Sequence, residues 1–335
     1  MSLQGERILV TGAGGFIGGH LAERLVREGA HVRAMVHYNA LGSRGWLDGS
    51  EHAADMEIIA GDVTDADCVQ RAARGVDRIA HLAALIGIPY SYTAPRSYLR
   101  VNAEGTLNIL QAARDAGTRR VVHTSTSEVY GSAQRIPIDE NHPLCGQSPY
   151  AASKTAADQL ALSFARSFDL PVVTVRPFNT FGPRQSLRAV IPTIISQCLA
   201  IAEGSSPPVI RLGAAHTTRD LNYVDDTVAG FVRALEADVD ADGSAFNLGS
   251  GREISIADLA HAIADLCGIE ADIETDQQRL RPDASEVDRL LADASRAQRL
   301  LGWTPEIALE DGLLRTIEWF RVRAPGETRA GAFVV

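Results

Sequence analysis

The chain has 335 residues, 45% hydrophobic and 22% charged, enough for a large core built as one big α/β domain or two coupled lobes. With 32 basic against 42 acidic side chains the formal charge is -10, which argues against nucleic acid as a main partner, because such binding needs a basic face to neutralise phosphates. No basic-then-apolar leader precedes the first strand, and the most apolar helical stretch, 190-VIPTIISQCLAIA-202, is too short for a bilayer, so a cytoplasmic protein with no membrane span is expected.

Along the first half, apolar β-branched runs alternate with helical patterns. Strands are predicted at 7–11, 31–36, 56–61, 76–83, 119–125 and 171–177, and helices at 16–28, 65–74, 96–116 and 149–169. This βαβα rhythm predicts a doubly wound parallel sheet with right-handed crossovers, a Rossmann-type domain over residues 1–178. Beyond it the pieces shorten: strands at 208–213 and 245–249, and helices near 224–237, 255–267 and 309–322. They predict a smaller C-terminal α/β substrate lobe over 179–330, from which the chain can cross back, and a loose tail from 323 onward. Cys68, Cys145, Cys198 and Cys267 are scattered, without CxxC or zinc-ligand spacing, so reduced structural thiols and no metal are expected.

Three constellations carry chemistry. In 7-RILVTGAGGFIGGHLAERLVREG-29 a strand runs into Gly12, Gly15 and Gly18 and then an amphipathic helix. Glycines at these spacings permit a tight turn and let the helix N-terminus approach a pyrophosphate, so a dinucleotide site is expected here. Asp62, after the third strand, reads either as a carboxylate for an adenine amino group or as a plain turn residue.

The second constellation is 123-HTSTSEVYG-131 with Tyr150 and Lys154. Lys154 is the one lysine in the chain, every other cationic chain being arginine. At i, i+4 it shares a helix face with Tyr150, where an ammonium would favour phenolate and make Tyr150 a base. A compact ammonium also bonds a ribose as a planar guanidinium does not. The third constellation is Asn179, Arg184, Arg188, Arg219 and Arg281, whose amide and guanidinium groups suit a diphosphate. A surface ion pair is the alternative for each arginine.

The motifs TGAGGFIG, STSEVYG, YAASK, 176-RPFNTFGPRQ-185, 219-RDLNYVDD-226 and 246-FNLGSG-251 together resemble the extended short-chain dehydrogenase/reductases of the NAD-dependent epimerase/dehydratase family, which act on nucleotide sugars. The resemblance implies that Tyr150 takes the proton of the sugar 4-hydroxyl while hydride leaves C4, that Lys154 assists, and that Thr126 bonds the sugar oxygen. It also implies a dinucleotide site at Gly12, Gly15, Phe16, Ile17, Gly18, His37, Asp62, Val63, Leu82, Ala83, Tyr150 and Lys154. Asn179, Arg219 and Arg281 match diphosphate-contacting positions, and the helices 96–116 and 149–169 resemble those of a homodimer interface.

Within the family, Thr126-Ser127-Glu128 resembles 4,6-dehydratases and also decarboxylases, with Glu128 as the base at C5. Ser127 departs from the Asp found in dehydratases of dTDP-glucose, which leaves the acid at the departing hydroxyl open between Glu128 and a water held by Ser127. The runs 82-LAALIGIPYSY-92 and 179-NTFGPRQSLRAVIPTII-195 are most similar to dehydratases of legionaminic-acid-type pathways, implying UDP- or GDP-linked N-acetylglucosamine. A 4-epimerase, a UDP-glucuronate decarboxylase and a non-catalytic dinucleotide sensor are the other readings. NAD is the expected cofactor. NADP stays open, since 35-MVHYNALGSR-44 lacks the usual acid and offers His37 and Arg44 to a 2′-phosphate.

Overall fold

The structure is a computed structural model that describes residues 2–239, 242–280 and 282–327. Its strands are β1 Arg7–Thr11, β2 His31–His37, β3 Glu57–Gly61, β4 Arg78–His81, β5 Arg120–Thr124, β6 Val172–Pro177, β7 Asn179–Phe181, β8 Val209–Leu212, β9 Thr218–Tyr223, β10 Asp242–Leu248, β11 Glu253–Ser255, β12 Asp272–Thr275 and β13 Arg289–Leu290. The helices are α1 Phe16–Arg27, α2 Ala66–Ala73, α3 Ile88–Thr93, α4 Pro95–Tyr98, α5 Gly105–Ala116, α6 Pro149–Phe168, α7 Val190–Ala202, α8 Val224–Glu236, α9 Ile256–Cys267, α10 Ser295–Leu301 and α11 Leu309–Glu327.

Seven parallel strands form the main sheet in the order β3-β2-β1-β4-β5-β6-β10. Successive side chains on a strand face opposite ways, so Ile8 and Val10 of β1 enter the core beneath α1 and α8 while Leu9 enters the one beneath α2, α5 and α6. Cores on both faces explain why these strands read as unbroken apolar runs. Between β1 and β4 the winding reverses, and at such a switch point the strand ends open a crevice.

β10 corrects one expectation. The 245–249 run belongs to the main sheet, paired parallel with β6, and not to the smaller lobe. Phe246, Asn247 and Leu248 are all buried, as a strand covered on both faces requires, yet a short apolar run does not reveal which sheet it joins. The smaller lobe is built from β9 with β7, β11 and β13, and from the parallel pair β8 and β12. The tail expectation is corrected for residues 323–327, where α11 continues through Glu327, while residues 328–335 lie outside the described residues. The four scattered cysteines are all free thiols, Cys198 on α7 and Cys267 at the end of α9 lying on helices that pack together. Among the described residues no helix is long and apolar enough to cross a membrane.

The stretch 96–116 is not one regular helix. Leu99–Glu104 is a π-helical turn between α4 and α5. A π turn re-aims a side chain out of the helical register, and the one it aims here is Asn102, fully buried.

Candidate active site

The loops leaving β1, β4, β5 and β6 meet the start of α6 at the crevice. At β1 the glycines are required by contact. Gly12 has φ +70, and a Cβ there would stand 2.9 Å from the Ala83 amide nitrogen; a Cβ on Gly18 would strike the Gly12 carbonyl. Gly15 caps α1 without a side-chain bond and no acid lies in the first turn, so the first helical N–H groups are left for an anion. These features fit a dinucleotide pyrophosphate.

Leu82 and Ala83 are braced from below. Both donate backbone N–H groups to the Thr11 hydroxyl, each at 3.1 Å. With its lone pairs taken, Thr11 donates to His81 Nδ1 at 2.8 Å, leaving Nε2–H to donate to Thr106 at 3.1 Å. Thr106 in turn donates to the Asn102 carbonyl. Asn102 accepts from Leu85 N at 2.8 Å, donates back to Leu85 O at 2.9 Å, and donates to Ser153 Oγ at 2.9 Å. One buried amide thus ties the loop after β4 to the helix that carries Tyr150 and Lys154.

α6 begins with Ser148, whose hydroxyl accepts from Ala151 N, followed by Pro149 at the first helical position. That start places Tyr150 and Lys154 in the crevice wall, 7% and 3% exposed. Thr126 caps the turn Ser127–Tyr130 by accepting from Glu128 N at 3.2 Å, and its hydroxyl is close enough to Tyr150 to act on the phenol. Tyr98 stacks edge-on against Tyr150 at 6.2 Å and donates to Gly87 O.

Electrostatics correct the expectation for the pair. Burial holds the Tyr150 phenol above its ordinary range, with the Thr126 hydroxyl pulling it down and the charge of Glu128 pushing it further up. Lys154 is itself drawn down to about 8 by burial, against the attraction of Asp158. Desolvation of both groups outweighs the cation effect that their spacing suggests.

Asp158 lies one turn beyond Lys154 and is 5% exposed. Its Oδ2 accepts from Ser125 Oγ at 2.7 Å and Arg176 Nη2 at 3.0 Å, and its Oδ1 accepts from His123 Nε2 at 3.1 Å. Arg176 also donates to the Tyr130 hydroxyl at 3.0 Å, which donates to Asn247 Oδ1 at 2.7 Å. Asp158→Ala would leave Arg176 buried without its counter-charge. A loss of about 3–5 kcal/mol is expected, read as a fall in Cm and Tm; an unchanged Cm would show that the network does not hold the charge.

His81 and His123 are both completely buried, and burial lowers both pKa values, well below the usual value for His81. Unfolding therefore takes up protons below the ordinary imidazole pKa, so stability is expected to fall as pH drops below about 6.5, with a limiting slope of about 1.4 kcal/mol per pH unit for each ring until that ring titrates in the folded state. Denaturant titrations at a series of pH values test this, and a flat profile down to pH 5 would refute it.

The remaining expected residues have varied settings. Asp62 forms a turn, its Oδ1 accepting from Thr64 N at 2.8 Å and Thr64 Oγ1 at 2.9 Å. Burial pushes its carboxyl pKa up, but the Thr64 bonds and the charges of His37 and Arg100 together bring it below the ordinary value. Asn179 at the head of β7 has its Oδ1 buried without a partner among the described residues. Arg219 is buried, donating to Thr218 O and pairing with Glu286 at 3.1 Å. Arg188 is exposed near Tyr98. Arg184 is committed to α1, pairing with Glu23 at 3.0 Å from a left-handed backbone with φ +71. Arg44 is tied to Asp48 at 2.9 Å. Arg281 lies outside the described residues.

Asn102, His81, His123 and Asp158 escaped the sequence reading. Asp158 carried a signal, an acid in register with Tyr150 and Lys154 on α6. Asn102 carried a fainter one, since asparagine is a poor choice inside a helix unless its side chain is needed.

Comparison with known proteins agrees with this geometry. The family model for GDP-mannose 4,6 dehydratase matches residues 9–316. A UDP-glucose 4-epimerase from Mycolicibacterium smegmatis is 35% identical over 94% of this chain and 98% of its own, and a dTDP-glucose 4,6-dehydratase from Streptomyces niveus is 33% identical over 94% and 93%. The crystal structure of a dTDP-glucose 4,6-dehydratase from Streptomyces venezuelae, with NAD bound, superposes with a TM-score of 0.85 at 30% identity, covering 94% of this chain and 97% of that one. The crevice is thus that of an extended short-chain dehydrogenase/reductase. The chain belongs to the nucleotide-sugar epimerase/dehydratase family, and it is an enzyme of that kind.

Proposed function

We propose that the protein is an NAD-dependent nucleotide-sugar 4,6-dehydratase acting on UDP- or GDP-linked N-acetylglucosamine. The observation that carries this reading is Glu128, a carboxylate on the same turn as Thr126 and close enough to raise the Tyr150 phenol. Epimerisation at C4 needs no such base.

NAD, held at the glycine loop and by Lys154, would supply a reversible hydride acceptor and a positive charge that favours phenolate. Tyr150 takes the proton of the 4-hydroxyl while Thr126 bonds the same oxygen. The Lys154 ammonium, opposite Asp158, bonds the ribose and stabilises the phenolate. Once C4 is a ketone, the C5 proton is acidic, and Glu128 removes it as the C6–O bond breaks. The departing hydroxyl leaves as water, protonated by Glu128 or by a water on Ser127. Asn179, Arg188 and Arg219 hold the diphosphate, the Asn179 amide NH2 and the two guanidinium groups donating to its oxygens. Arg281 would join them.

The 4-epimerase reading has its own support in the 35% identical mycobacterial relative with that activity and in solved 4-epimerases that superpose as well as the dehydratase does. Assembly as a homodimer through α5 and α6 belongs to the main proposal: Leu107, Leu160 and Leu162 stay partly buried in the single chain, and Phe168 is 49% exposed. The test is incubation with UDP- and GDP-N-acetylglucosamine, UDP-glucuronate and GDP-mannose, with products read by mass spectrometry. Loss of one water from an N-acetylglucosamine nucleotide is expected. Loss of carbon dioxide, or a product of unchanged mass, would replace the dehydratase by a decarboxylase or an epimerase.

A further inference from the structure

We propose that Asp48 sets the cofactor choice by cancelling the charge of Arg44, so that an adenosine ribose bearing a free 2′-hydroxyl is accepted and one bearing a 2′-phosphate is not. The inference rests on the dinucleotide reading of the glycine loop. In this fold the adenosine ribose is read where the second strand ends, by an acid that bonds its hydroxyls or by an arginine that takes a 2′-phosphate. Here β2 ends at His37, and the next acid in the chain is Asp48, on the short turn Gly45–Gly49.

The intervening segment folds back onto the glycine loop. Trp46 N donates to Gly14 O at 2.9 Å, and a Cβ on Gly14 would stand 2.6 Å from the Arg44 carbonyl oxygen. Arg44 therefore lies against the loop that fits the pyrophosphate. Asn39 is used up inside the segment, donating to His37 O and Ser43 O and accepting from the N–H groups of Leu41 and Ser43. Asp48 grips what remains. Its Oδ1 accepts from Arg44 Nε at 2.9 Å, and its Oδ2 accepts from Arg44 N at 3.1 Å and from Ser43 Oγ at 2.8 Å.

Three bonds on one carboxylate fix this ion pair in place, although both side chains are nearly half exposed, at 41% and 46%. At such exposure an ion pair adds little to stability, so its removal should leave the fold intact. Its consequence is selective. A 2′-phosphate brought to Arg44 meets the Asp48 carboxylate, whereas a neutral ribose hydroxyl meets no such repulsion.

The test measures binding by calorimetry, with no turnover required, using NAD and NADP as the two ligands. The wild-type protein should bind NAD at least about tenfold more tightly than NADP. Asp48→Asn should tighten NADP by about tenfold with NAD little changed, and the double variant Arg44→Ala/Asp48→Asn should lose that gain. Equal affinities in the wild type, or equal weakening of both ligands in Asp48→Asn, would overturn the proposal, the second by showing that Asp48 only shapes the segment. Failure of the wild type to bind either dinucleotide would remove the cofactor reading itself and this inference with it.

Discussion

Tyr150→Phe is expected to lower kcat by about 10²–10⁴-fold, the range a positioned general base contributes, with KM little changed. The phenylalanine keeps the ring and its edge-on contact with Tyr98, so packing is conserved and only the hydroxyl is lost. Single-turnover spectra should show no reduced nicotinamide, because oxidation at C4 is the step removed. Activity within a few-fold of wild type would mean that another group takes the 4-hydroxyl proton.

Glu128→Gln is expected to stall the reaction one step later. The substituted amide keeps the size of the side chain and the backbone contact to Thr126 while losing the base, so oxidation at C4 proceeds and the C5 proton stays in place. Reduced nicotinamide should then accumulate on the enzyme, and deuterium uptake at C5 from deuterated water should fall by about 10²-fold or more. The two variants part at the 4-ketone: Tyr150→Phe never reaches it, and Glu128→Gln does not leave it. Should both lose only substrate affinity, with full turnover at saturation, the roles given to Tyr150 and Glu128 would be wrong.

The contrast between the legible and illegible parts of the molecule has a physical source. β1 and α1 were readable because each is specified locally: a continuous apolar strand, glycines that a Cβ would obstruct, and an amphipathic helix. Tyr150 and Lys154 were readable because helical periodicity alone puts them on one face. Asn102 was not, since its role depends on a π turn and on Leu85 and Ser153, contacts that exist only after folding. Likewise the commitment of Arg184 to Glu23 and of Arg44 to Asp48 turns on neighbours that composition cannot rank. The reversed shift at Tyr150 has the same origin: spacing reveals the neighbouring charge, while the desolvation that outweighs it is set by the whole crevice.

The central claim is that oxidation begins at C4 and the same hydrogen is returned at C6 after water is lost. The most direct measurement uses UDP-N-acetylglucosamine carrying deuterium at C4, turned over in ordinary water and read by NMR. The account predicts a 4-keto-6-deoxy product with the label at C6. Label retained at C4 in an isomer of the substrate would contradict it and make the protein a 4-epimerase.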